Sequence, residues 1–388
     1  DLVKRYESVR RPHPLQGDRR LLDGIQEERE LLKTLRTRSD ILIDTSGYSV
    51  HDLARKIRED DVVGVTTNPA IFQAAISGAA DYAAPIAELA SSGASPEEVI
   101  KRLTTDDVRE ACDLFHDVYE RTGGYDGRVS IEVDPRLARR TAETLEQAGE
   151  LWATVDRPNV MIKIPATVEG LPAITDAIAA GISVNATLIF SVERYVEVAQ
   201  AYLAGLEKAR RAGLDLSGIH SVASFFVSRV DGEVDRLLGE LGASELAGRA
   251  AVANARIAYG AFLDIFEGGR RFADLAEAGA NLQRPLWAST GVKNPAYRDT
   301  MYVDELVSRH VVNTMPEKTL LAVADHGDLR GDTIRPAVDD ARSLLGELAA
   351  AGVDLADVTS RLEYDGVAKF EIAWADLIRA VTEQLHDH

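Results

Sequence analysis

The sequence predicts an α/β chain folded as a (β/α)8 TIM barrel, with a helical N-terminal arm and a C-terminal helical extension. Three observations carry this prediction. Eight short apolar or β-branched runs recur along the chain, the segments between them are long enough for helices, and polar residues gather where the runs end. Runs of about four to eight residues alternating with helical patterns indicate a parallel sheet. Eight such units favour a closed barrel over an open sheet.

In order, the runs are DILID (40–44), VVGVT (62–66), VSIEV (129–133), VMIKI (160–164), ISVNATL (182–188), IHSVASFF (219–226), PLWAST (285–290) and HVVNT (310–314). The stretch 69–128 holds several helices. One opens at Ser95-Pro96-Glu97-Glu98, with a capping Ser, Pro in the first turn and Glu three residues on. After the fifth run, Val192, Tyr195, Ala199, Tyr202 and Leu206 share one helical face. Residues 335–388 continue as helices, with Val338, Ala341, Leu345 and Leu348 as an apolar stripe. Residues 1–39 form the arm, with a charged helix around 18–38, and residues 40–388 form one barrel domain that includes the C-terminal helices. No repeat, low-complexity tract or linker divides the chain.

The net charge of −19 argues against nucleic acid or an anionic membrane as partner. A small anionic substrate stays open, because a pocket's local charge can oppose the global sign. The single cysteine, Cys112, leaves no intrachain disulfide framework and fits a reducing cytoplasm. Its helical surroundings, EACDLFHDVY, read it as a small buried side chain and not a nucleophile. No run reaches the roughly 18 apolar residues of a membrane span, and DLVKRYESVRRPHP has no apolar signal core. The phosphate-cradling, dinucleotide, zinc-protease and C-x-x-C motifs are absent, and the histidines are scattered. Neither a metal nor a cofactor is expected. A monomer and a homodimer both fit.

In such a barrel the carboxyl ends of the strands build the active site. Every run but the last ends near a hydrogen-bonding or ionisable residue: Asp44, Asn68, Glu132, Lys163, Asn185 with Thr187, Ser224, and Ser289. A purely structural barrel would not need so many, which favours an enzyme. Lys163 is the most informative, lying between apolar neighbours in VMIKIP. Low-dielectric surroundings disfavour a charged ammonium, and an uncharged amine can attack a carbonyl to form an iminium. Otherwise it snorkels to solvent or pairs with a carboxylate.

Asp44 and Glu132 are two carboxylates suited to moving protons in carbonyl chemistry, or to pairing with Lys163. Asn68, Asn185 and Thr187 suit a polyhydroxylated ligand, although Asn68 is equally placed to cap the next helix. Arg229 and Lys293, just beyond strands, have the chemistry to hold phosphate. Arg229 has an alternative in pairing with Asp231 or Glu233.

The stretches GVTTNPAIFQ (64–73), VSIEVDPRLA (129–138), VMIKIPATVEGLPAI (160–174), ISVNATLIFSVERY (182–195), SVASFFVSRVD (221–231) and LWASTGVKNPAY (286–297) resemble transaldolase signatures. The resemblance runs from about residue 40 to the C-terminus, and NTMPEKTL (313–320) resembles the actinobacterial-type branch. It implies a (β/α)8 barrel, without cofactor, acting on sugar phosphates in the non-oxidative pentose phosphate pathway. A dihydroxyacetone unit would pass from sedoheptulose 7-phosphate to glyceraldehyde 3-phosphate, giving erythrose 4-phosphate and fructose 6-phosphate.

By motif, Lys163 would be the Schiff-base lysine and Asp44 the acid/base at the C4 hydroxyl. Glu132 and Thr187 would hold a proton-shuttling water. Asn68, Asn185 and Ser224 would bind the dihydroxyacetone hydroxyls, and Arg229 the phosphate. Many members carry Arg two residues after the serine matched by Ser289. Here that position is Gly291, and the nearest cation is Lys293. The flanks of Asp44, ILIDTSGYSV, match poorly. The nearest rival is a fructose 6-phosphate aldolase, a relative that tends to carry Tyr where this chain has Phe226; Phe226 favours transfer. A non-catalytic sugar-phosphate-binding barrel is the remaining reading, and the presence of Lys163 with both carboxylates counts against it.

Overall fold

The computed structural model describes residues 62–78 and 82–386, together with the backbone of 40–44. The arm expected over residues 1–39, with its charged helix, lies outside the described residues. Eight parallel strands close on themselves in sequence order. They are β1 (Asp40–Asp44), β2 (Gly64–Thr66), β3 (Arg128–Glu132), β4 (Val160–Pro165), β5 (Val184–Ile189), β6 (Ser221–Phe226), β7 (Gln283–Ala288) and β8 (Val312–Met315). β8 pairs with β1 from Asp40↔Val312 to Ile43↔Met315, which leaves no open edge. All eight predicted runs are strands, with ends displaced by a few residues. This is the α/β barrel that the pattern predicts.

The helices are α1 (Pro69–Gly78), α2 (Ala83–Ser91), α3 (Pro96–Leu114), α4 (His116–Arg121), α5 (Thr141–Val155), α6 (Gly170–Ala179) and α7 (Val192–Arg211). There follow α8 (Ser228–Leu241), α9 (Ala250–Phe262), α10 (Arg270–Ala276), α11 (Met301–Asp304), α12 (Glu317–His326), α13 (Val338–Ala350) and α14 (Leu355–His386). None of those described is long and apolar enough to cross a membrane.

Local chemistry explains several boundaries. At the start of α3 the Ser95 hydroxyl accepts from the Glu98 amide, while the Ser95 amide donates to Glu98 Oε2 at 2.7 Å, a reciprocal cap with Pro96 at the first turn. Tyr195, Ala199, Tyr202 and Leu206 of α7 are buried as predicted, whereas Val192 is half-buried. On α13 the buried stripe is Ala341, Leu344 and Leu348, and Leu345 is only half-buried. The helix is therefore turned slightly from the predicted face. Cys112 is fully buried, and burial pushes its thiol up to about 12, so it is no nucleophile.

Two features govern the position of the site. Gly170 opens α6 so close to β4 that a Cβ there would meet the Pro165 carbonyl oxygen at 2.0 Å, so only glycine lets the helix seat behind this strand. The long C-terminal helix α14 packs against α1, α3, α8 and β5, which brings its middle to the carboxyl end of the barrel.

Candidate active site

Strand register decides which side chains meet. Glu132 pairs with Lys163 between β3 and β4, Lys163 with Asn185 between β4 and β5, and Pro165 with Thr187. Side chains alternate along a strand, so Glu132, Lys163, Asn185 and Thr187 all point into the barrel. Each is buried.

The Lys163 ammonium donates to Glu132 Oε2 and to the Thr67 carbonyl, both at 3.1 Å. The predicted alternative of a snorkelling lysine is thereby excluded, while the pairing with a carboxylate is observed. Burial raises the Glu132 pKa, and the adjacent Lys163 opposes that rise. The second Glu132 oxygen, Oε1, and the hydroxyl of Thr187 have no partner among the described protein groups.

Behind this pair runs a polar chain that crosses the barrel. Ser224 donates to Asn185 Oδ1 at 2.7 Å, and the Asn185 amide donates to Ser130 Oγ at 3.1 Å. Asn185 is thus fixed in one orientation by groups of β3 and β6. A cavity of about 280 Å³ opens beside Glu132, with Asn68, Phe72, Arg136 and Trp374 among its lining residues. Asn68 does cap α1, its side-chain oxygen accepting from the Ile71 amide at 3.0 Å. That leaves its amide N–H groups for the cavity.

At the rim, the Arg229 guanidinium lies 5.1 Å from the centre of the Phe226 ring, which is itself 5.1 Å from the Phe190 ring. Neither acid named as an alternative partner holds it. Asp231 accepts from the Ala251 amide and the Tyr302 hydroxyl, and Glu233 pairs with Arg236. Arg229 Nη1 has no partner among the described residues, and burial lowers the guanidinium's pKa. Ser289 follows β7 in a left-handed conformation with φ 57°, unusual for a residue with a Cβ. Its hydroxyl contacts that of Ser228 at 2.9 Å. Lys293, on the loop beyond, is exposed. Its amine is held below its ordinary pKa by partial desolvation, then by the positive charges of Arg229 and Lys369.

Asp44 ends β1 opposite Thr66 in the register, and its side chain lies outside the described residues. Sequence reasoning missed Ser130, Thr67, Ser228 and the two α14 residues Lys369 and Phe370. The Phe370 ring lies 5.8 Å from the Lys163 amine. Ser130 carried a signal, since Ser130 and Glu132 share one face of VSIEV. Thr67 acts on Lys163 through its main chain and carried none. Among the described residues no cluster of His, Cys, Asp or Glu is arranged to hold a metal.

The site sets a buried amine against a buried carboxyl in a polar pocket, with cations at its rim. Residues 41–381 match the family Transaldolase/Fructose-6-phosphate aldolase. A RapZ-like N-terminal domain family matches residues 1–63, a minor part of the chain that is mostly outside the described residues. Transaldolase 1 of Streptomyces coelicolor is 60% identical over 337 residues, covering 86% of this chain and 88% of its own. The transaldolase of Mycobacterium ulcerans is 58% identical over 337 residues, covering 86% and 90%. That of Mycolicibacterium paratuberculosis is 60% identical over 327 residues, covering 84% and 88%. A putative fructose-1,6-biphosphate aldolase structure from Coccidioides immitis aligns over 91% of this chain and 95% of that one, at 12% identity and a TM-score of 0.27, too low to bear on the fold. The match across most of its length and the identity to named transaldolases make this chain an enzyme of the transaldolase/fructose-6-phosphate aldolase family.

Proposed function

We propose that the enzyme transfers a dihydroxyacetone unit from a ketose phosphate, sedoheptulose 7-phosphate, to glyceraldehyde 3-phosphate through a Schiff base on Lys163. The observation that carries this reading is the buried amine between Glu132 Oε2 and the Thr67 carbonyl. Its attack on the C2 carbonyl forms a carbinolamine, which loses water to give an iminium. Glu132, disposed by burial to hold a proton, donates to the departing hydroxyl, with Thr187 beside it orienting the water. The iminium then accepts the electron pair as the C3–C4 bond breaks. Asp44 takes the C4 hydroxyl proton, erythrose 4-phosphate leaves, and a neutral enamine remains.

Asn185, Ser224 and Asn68 hold the hydroxyls of the three-carbon fragment by their amide and hydroxyl groups. Arg229, with Ser289 and Lys293, holds the phosphate. The acceptor aldehyde adds to the enamine, and hydrolysis of the new iminium restores Lys163. Phe226 favours transfer over release, because a phenyl ring has no hydroxyl to deliver water or a proton to the enamine.

Borohydride reduction in the presence of fructose 6-phosphate, followed by peptide mass mapping, tests it. The modified peptide is expected to contain Lys163, and label elsewhere would overturn the assignment. Cleavage of fructose 6-phosphate is expected to depend on an added aldehyde acceptor; rapid acceptor-independent release of dihydroxyacetone would identify an aldolase.

A further inference from the structure

The C-terminal helix brings to the rim of the barrel a lysine that neither the strands nor the loops after them supply. We propose that Lys369 of α14 is a phosphate-binding residue, which closes a three-cation cradle with Arg229 and Lys293 and sets the preference for phosphorylated sugars. The proposal rests on the functional reading above.

A chain of contacts fixes the geometry. Arg229 stands over Phe226, and Phe226 packs on Phe190. A Cβ built on Gly366 of α14 would lie 3.4 Å from Phe190 and 3.1 Å from Leu188, so the helix backbone runs directly over these side chains. Residues three and four positions on share that face of a helix. They are Lys369 and Phe370, and the Phe370 ring reaches to 5.8 Å from the Lys163 amine. The helix is pinned in this position at three points: Glu363 to Arg194 at 3.2 Å, Tyr364 under the Arg139 guanidinium, and Arg361 to Glu233 at 3.9 Å.

Charge then says what the cluster holds. The chain carries a net charge of −19, and most of its described basic side chains find a carboxylate: Lys101 has Glu150, Lys208 has Asp176, and Lys163 has Glu132. Among the described residues, Arg229, Lys293 and Lys369 are in no ion pair. Three like charges brought together without an acid raise each other's free energy, and a dianion between them removes that cost. Desolvation lowers the Lys293 pKa first, and the charges of Arg229 and Lys369 lower it further, as such repulsion requires. Lys369 is exposed, so it reaches a phosphate without a buried charge having been prepared for it.

The test uses the full-length enzyme and its variants Lys369→Met and Lys369→Arg, with Lys318→Met as a control for charge loss elsewhere. Three quantities are measured: KM for fructose 6-phosphate, competitive inhibition by inorganic phosphate, and borohydride trapping of unphosphorylated dihydroxyacetone on Lys163. In Lys369→Met, KM is expected to rise about tenfold, the loss of about one charge-assisted contact. Phosphate inhibition should weaken in parallel while dihydroxyacetone trapping is unchanged, and Lys369→Arg should restore both. Unchanged KM and phosphate inhibition would overturn the proposal while leaving the Schiff-base reading intact. Equal loss of dihydroxyacetone trapping would also overturn it, by showing that the residue serves the fold. If wild-type enzyme traps neither sugar on Lys163, it is the functional reading that fails.

Discussion

Both ends of this barrel hold clusters of cations, and they treat them in opposite ways. At the amino end Arg284 donates to the Tyr125 carbonyl and to Asp126, both at 3.1 Å, and stacks 4.0 Å from the Tyr125 ring. Arg128 donates to the Gly124 carbonyl at 2.8 Å under the ring of Tyr119. Its outer nitrogens lack partners, but they are sealed from solvent. At the carboxyl end the charges of Arg229 and Lys369 bear on Lys293, none of the three has an ion pair among the described residues, and Lys163 faces a carboxyl with one oxygen unanswered. The same residue types thus serve structure where the fold pairs or seals them, as with Arg284 and Arg128, and are available for a ligand where they stand open at the rim. A buried charge alone marks neither role.

Exchanging one residue at each end is the most direct way to break this contrast. In Lys163→Met, kcat for transfer is expected to fall by at least about 10³-fold, since no other amine stands in its place. Burial raises the Glu132 pKa, and without the opposing Lys163 charge the carboxyl can go neutral, so urea unfolding at pH 6 should shift by less than about 2 kcal/mol. Turnover near the native rate would end the Schiff-base account.

Arg284→Met is expected to do the reverse. The half-buried Asp126 loses this ion pair, and the buried guanidinium's contacts are lost with it, about 3–5 kcal/mol in urea unfolding. Transfer by the protein that remains folded should keep its kcat. Activity lost from a stably folded Arg284→Met would show that the amino end reaches the chemistry, and the division of labour would fall.

How much of this was legible in the sequence follows from the same contrast. Glu132, Lys163, Asn185 and Ser224 stood out because polar residues at inward positions of apolar strands cost free energy unless something uses them. The eight runs were legible because period-2 strands and 3.6-period helices leave different marks. Lys369 and Phe370 were not, because an amphipathic helix shows which face is apolar but not what that face meets. Thr67 contributes a main-chain carbonyl, which no side chain announces. Arg229 had two acids within helical reach, and only the structure shows Asp231 taken by the Ala251 amide and Tyr302, and Glu233 by Arg236. Asn68 turned out to be a cap as well as a cavity residue, two roles that one residue's identity cannot separate.

The smallest expected effect sharpens the comparison through pH. His220, at the amino end, is pushed down to about 3, first by burial and then by the charge of Arg128, so it is neutral in the fold. Below its ordinary pKa of 6.5 the unfolded chain takes up a proton that the fold refuses. Stability from this group is therefore complete above pH 6.5 and is lost as pH falls toward 3, by about 2 kcal/mol at pH 5. Asp231, at the carboxyl end, is raised to about 6, chiefly by burial. There the folded protein takes the proton first, and stability is gained as pH falls through 6 toward 3.8. His220→Gln should flatten the acid loss between pH 7 and 5 by about 2 kcal/mol, since an amide cannot titrate. Asp231→Asn should steepen it, because it removes the opposing gain. Urea midpoints measured at both pH values decide the matter. If His220→Gln leaves the difference between them unchanged, the histidine is charged in the fold, and the amino end holds another titrating cation beside its arginines.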